Sequence, residues 1–172
     1  MRILTIGHGA RAADELVETL RAGGAETVVD VRRFPGSRRH PQFNGPALAE
    51  TLAAAGIAYR HEVELGGRLQ DEPGEERFAC LRVAAFRSYA ARMGRREWQE
   101  ALARALAEPA PCFLCAETPW WRCHRRLVAE LLAARGHEVV HLLTPARQEP
   151  HRPWDLTSAR DGRLYLCDQL VA

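Results

Sequence analysis

The chain has 172 residues, 47% of them apolar, and a net charge of +2 from 24 basic and 22 acidic side chains. That length suits one domain over residues 1–172 with a core on both sides of a sheet, and the weak positive balance argues against a strongly basic nucleic-acid module. Every basic side chain is arginine, so a single exposed arginine carries little weight and only clusters at loop positions count. No stretch reaches the ~18–20 apolar residues of a membrane span, and MRILTIGHG is too short an apolar run for a signal peptide. Five cysteines, an odd number, lead us to expect reduced thiols and a cytoplasmic protein.

Arg2–Ile6 reads as a first strand that runs into the tight turn Gly7-His8-Gly9. Asp14–Ala22 follows as a helix, with Leu16, Val17 and Leu20 on one face and Gly23-Gly24 as its stop. Thr27–Val31 is apolar enough to be a strand buried on both faces. The loop FPGSRRHPQFNG is far longer than usual for such a connection, and long loops are commonly functional. Pro46 suits the first turn of a helix ending near Ala55, and Ile57–Arg60 gives a third strand. Two helices are expected over Cys80–Met93 and Arg95–Ala107. The run Cys112–Cys115 then reads as a buried strand, and Leu127–Arg135 as a helix capped by Gly136. Glu138–Leu143 is a further strand, TPARQEPHRPWD a Pro-rich connector, and Asp161-Gly162 the turn of a terminal hairpin with Leu164–Cys167 as its return arm. Alternating strands and helices predict a three-layer αβα, Rossmann-like fold: a mostly parallel sheet with helices on both faces.

The unusual residues fall after the strands. His8 follows the first. Asp30, Arg32 and Arg33 follow the second. His61, Gly66, Gly67 and Arg68 lie beyond the third. Cys115, Glu117, Trp121, Arg122, Cys123, His124 and Arg125 follow the fourth. In a parallel sheet these loops share the carboxyl edge, where ligands bind. Cys123, expected in the first turn of its helix beside Arg122, His124 and Arg125, is the candidate nucleophile, set against a buried packing role. Cys115, Glu117 and His8 are the other candidate catalytic groups. His124 is a weaker partner for Cys123, because neighbours on a helix point about 100° apart. Pairings of Asp30 with Arg125, or of Glu117 with Arg32, would make those carboxylates structural instead. The arginines offer forked donors to phosphate or carboxylate, and the tryptophans a stacking face for a ring. No metal site is expected, since Cys112 and Cys115 face opposite sides of a strand.

Thr5-Ile6-Gly7-His8, Asp30-Val31-Arg32-Arg33 with Phe34-Pro35-Gly36-Ser37, Leu65-Gly66-Gly67-Arg68, Phe86-Arg87 with Tyr89 and Met93, and Cys115-Ala116-Glu117 followed by Cys123-His124-Arg125 together resemble the bacterial domain of unknown function 488 family. One departure is Gly9, where that family typically has serine. The resemblance implies a three-layer α/β fold and an enzyme, without a reaction or a cofactor. The expectation is a thiol-dependent transferase or hydrolase acting on an anionic substrate, a nucleotide or nucleic acid. The alternatives are a non-catalytic anion or nucleic-acid binding module and a thiol-based redox regulator.

Overall fold

The computed structural model describes residues 1–172. Six strands form one sheet in the order β3-β2-β4-β1-β5-β6. They are β1 (Arg2–Gly7), β2 (Thr27–Asp30), β3 (Ala58–His61), β4 (Pro111–Cys115), β5 (Glu138–Thr144) and β6 (Arg147–Pro150). The first five run parallel, and β6 returns antiparallel to β5 at the edge. Five α-helices accompany them: α1 (Ala13–Gly23), α2 (Gly45–Ala54), α3 (Ala84–Met93), α4 (Arg96–Leu106) and α5 (Arg125–Ala134). None is long and apolar enough to cross a membrane.

The strand pattern decides how the core divides. Side chains alternate across a strand. Ile3, Val29, Phe113 and Val139 enter one cluster, with Tyr89 of α3, Trp98 of α4 and Leu127 of α5. Their neighbours Leu4, Val28, Cys112 and Val140 enter another, with Leu16 of α1 and Leu48 of α2. Cys112 and Cys115 thus face opposite sides, as their spacing predicts.

Three strands, β7 (Thr157–Arg160), β8 (Arg163–Leu166) and β9 (Gln169–Leu170), form a small antiparallel sheet. Asp161 and Gly162, both at positive φ, make the expected hairpin turn. Its apolar side chains Leu164, Leu166 and Val171 join the cluster under α5.

Three expectations need correction. The Pro-rich connector contains β6, because its prolines flank or end a short edge strand and spare the bonded side. The helix expected from Cys80 begins only at Ala84, after a 3-10 turn at Glu75–Phe78 and an extended Val83. The cysteines are not all reduced: Cys80 and Cys167 form a disulfide, which ties the segment before α3 to the terminal sheet. An odd count leaves a free thiol somewhere but does not forbid a bridge among the other four. Cys112, Cys115 and Cys123 are the free cysteines, all buried.

Candidate active site

Strand polarity puts the loops after β1, β2, β3 and β4 on one edge of the sheet. Past the strands the ladder continues, with His8 N donating to Cys115 O and Gly9 N to Ala116 O, both at 2.9 Å. This zips the His8 turn to the start of the Cys115–Arg125 loop. Gly7 and Gly9 are required for that approach. A Cβ on Gly7 would lie 2.0 Å from the Glu117 carbonyl oxygen, and one on Gly9, at φ +54°, 2.1 Å from Thr118 Oγ1.

A cavity of about 540 Å³ opens here, within the size range of small-molecule sites. His8, Arg32, Arg33, Gly67, Arg68, Cys115, Glu117, Arg122, Cys123 and His124 all line it. The remaining sequence candidates do not. Asp30 and Arg125 are buried behind the lining. Gly66 packs under Arg33, where a Cβ would sit 2.9 Å from the Arg33 Cα. Trp121 is 47% exposed and off the cavity. Trp120 stacks on His141 at 4.0 Å between ring centroids. Of the phenylalanine, tyrosine and tryptophan side chains, those that do line the cavity are Phe34, 65% exposed, and Phe86. Both stand in blocks that the sequence singles out, yet nothing in their spacing aims them.

The Asp30 carboxylate holds the floor. It accepts from Arg32 Nε at 2.8 Å and Nη2 at 2.5 Å, and from the Tyr59 hydroxyl at 2.8 Å. The pairing is therefore Asp30 with Arg32, neither of the two considered from sequence. Tyr59, which sequence reasoning missed, is pushed well above the ordinary phenol range by burial and by the Asp30 charge. Arg32 Nη1 donates to His8 Nε2 at 3.2 Å, while His8 Nδ1 donates to the Gly9 carbonyl at 2.9 Å. Those partners fix the neutral imidazole. Burial lowers its pKa to about 4, and the Arg32 charge acts the same way against the Gly9 hydrogen bond. The His8 Nε2 lone pair, which a base acting on Cys123 would need, is thus engaged by Arg32.

Cys123 does not sit in a helix. Trp120–Arg122 form a 3-10 turn, Cys123 is extended at φ −114° and ψ 152°, and α5 begins at Arg125. The 100° helical offset therefore does not apply, and His124 Nδ1 lies 3.6 Å from Cys123 Sγ. The dyad that helical geometry disfavours is the one in contact. Arg125 Nε reaches the same sulfur at 3.5 Å, its Nη1 reaches Thr5 Oγ1 at 3.4 Å, and its Nη2 donates to the Glu117 carbonyl. Arg125 is 1% exposed and no carboxylate pairs with it. Burial raises the cost of a Cys123 thiolate, yet the Cys115 hydrogen bond, His124 and Arg125 together hold the thiol well below its ordinary range. Cys115, donating to that sulfur and itself buried, is held well above.

Fold and site define an α/β protein with a thiol pocket, flanked by arginines, at the carboxyl edge of a parallel sheet. The chain belongs to the family described as Domain of unknown function DUF488, whose model matches residues 12–132. That span includes every lining residue named above except His8 and Gly9. No curated protein and no solved structure matches the chain.

Proposed function

We propose that this protein is a thiol-dependent transferase or hydrolase in which Cys123 attacks an electrophilic centre of an anionic, ring-bearing substrate of the nucleotide or nucleic-acid class. One observation carries the reading. The Arg125 guanidinium, buried to 1% exposure, has no carboxylate partner, and its Nε lies 3.5 Å from Cys123 Sγ, a group able to carry negative charge. An uncompensated buried cation is costly, so the arrangement favours sulfur in its anionic, nucleophilic form. Cys115 supplies a hydrogen bond to that sulfur. The exposure of Glu117 at the cavity wall supports a general acid–base role for it. Arg33, Arg68 and Arg122 are exposed around the opening and suit phosphate oxygens, while Phe34 and Phe86 offer faces to a base. The two core clusters on alternate strand residues are what a three-layer, Rossmann-like arrangement buries, and the site falls where ligands bind in such folds.

Iodoacetamide at neutral pH is the test. Cys123 should be alkylated ahead of Cys112 and Cys115, and inorganic phosphate or a nucleoside monophosphate should slow the reaction. An inert Cys123 combined with salt-sensitive oligonucleotide binding would move the assignment to a non-catalytic binding module, in which the rim arginines act without the thiol. The Cys115–Cys123 contact favours a thiol-based redox regulator as a second reading, which predicts a bond between the two under mild oxidant.

A further inference from the structure

We propose that Cys115, Cys123 and His124 form a binding site for one soft divalent cation of the zinc class, with an open coordination position facing the cavity. The three ligand atoms all lie within 4.8 Å of one another. Cys123 Sγ and His124 Nδ1 are 3.6 Å apart. A tetrahedral zinc ion with bonds of about 2.3 Å to sulfur and about 2.0 Å to nitrogen sets that edge at about 3.5 Å. The pair therefore stands at ligand spacing without rearrangement.

The second-layer contacts support the same assignment. Gly67 leaves room for the His124 ring, since a Cβ there would lie 2.5 Å from Nδ1 and 2.9 Å from Cγ. Tyr89 packs the ring from another side at 4.8 Å between centroids. Arg125 Nε donates to Cys123 Sγ, the kind of outer hydrogen bond that orients and tunes a metal thiolate. All three ligands line the cavity. A set of three protein ligands with one side open is the pattern of catalytic rather than structural zinc. Cys112, three residues before Cys115 on the same strand, packs on the other face of the sheet and takes no part.

On binding, the two thiols release their protons to solvent and both sulfurs coordinate as thiolates. The loaded site has no free Cys123 sulfur, so the ion and an electrophilic substrate compete for it. This inference uses the same cysteines as the proposed function but does not depend on their nucleophilicity.

Cobalt(II) chloride is the probe, added to the full chain with the Cys80–Cys167 bridge intact. The expected result is one equivalent bound, with a sulfur-to-cobalt charge-transfer band and the intense visible bands of a tetrahedral site, all bleached by zinc. Cys115→Ala and His124→Ala should each weaken cobalt affinity at least about tenfold, since losing a ligand costs no less than losing an outer partner. Cys112→Ala, checked for folding by circular dichroism, should bind as the parent does. Absent bands, or bands that survive Cys123→Ala and Cys115→Ala, overturn the site. Rapid alkylation of Cys123 without cobalt bands rejects the metal and keeps the nucleophile. Cobalt bands with slow alkylation of the metal-free protein keep the metal and reject the nucleophile.

Discussion

Two buried neutral histidines set the response of this fold to acid. His141 is 1% exposed, and burial, helped by the His151 and Arg125 charges, lowers its pKa to about 3. His8 is 3% exposed and lowered to about 4. In the unfolded chain both titrate near 6.5. Below that value the unfolded state binds more protons, so stability falls with pH through the window from about 6.5 toward the folded values. By that linkage each histidine costs about 0.2 kcal/mol at pH 7 and about 2 kcal/mol at pH 5, or about 4 kcal/mol for the pair at pH 5. Such a loss is a large share of a typical domain's stability. Urea unfolding followed by tryptophan fluorescence at pH 8, 7, 6 and 5 measures it. His141→Gln removes one titrating ring, and its loss between pH 8 and pH 5 should be about half that of the parent. A stability that stays level down to pH 5, or a variant that keeps the full pH dependence, would refute the reasoning.

Other changes have equally definite outcomes. Asp30→Asn leaves Arg32 buried without a counter-charge and should cost about 3–5 kcal/mol, read from chemical denaturation. Gly7→Ala places a methyl group against the Glu117 carbonyl, so thermal melts should show a loss of about 3 kcal/mol or more, since backbone must shift. Gly67→Ala displaces the His124 ring from Cys123 and should slow alkylation of that sulfur while leaving the helical signal in circular dichroism intact. Replacing Cys80 and Cys167 by serine reopens a loop whose ends are 87 residues apart and should remove up to about 4.5 kcal/mol of stability.

The alternation of strands and helices was legible because periodicity reports which faces are buried, and parallel strands oblige their following loops to share an edge. That alone brought His8, Arg32, Glu117 and Cys123 into the neighbourhood of one another. Contact chemistry was not legible. The sequence offers Asp30 several arginines, and only the turn after β2, with Arg32 N itself bonded to the Asp30 carboxylate at 3.0 Å, selects Arg32. The Cys123–His124 contact turned on a single backbone conformation, extended rather than helical, which composition around Pro119 and the tryptophans did not reveal. Where the tryptophans point was not legible either: Trp120 stacks on His141 of β5, and the exposed Trp121 stands off the cavity.

The bridge from Cys80 to Cys167 reaches further than its thermodynamic share. Val83 and Phe86, which form part of the pocket's outer wall, begin just after Cys80. A protein handled in strong reductant is therefore strung differently from one handled in air, with that wall moored at one end only. Ligand affinities and thiol reactivities gathered under the two handling regimes belong to two different mechanical objects and should not be pooled.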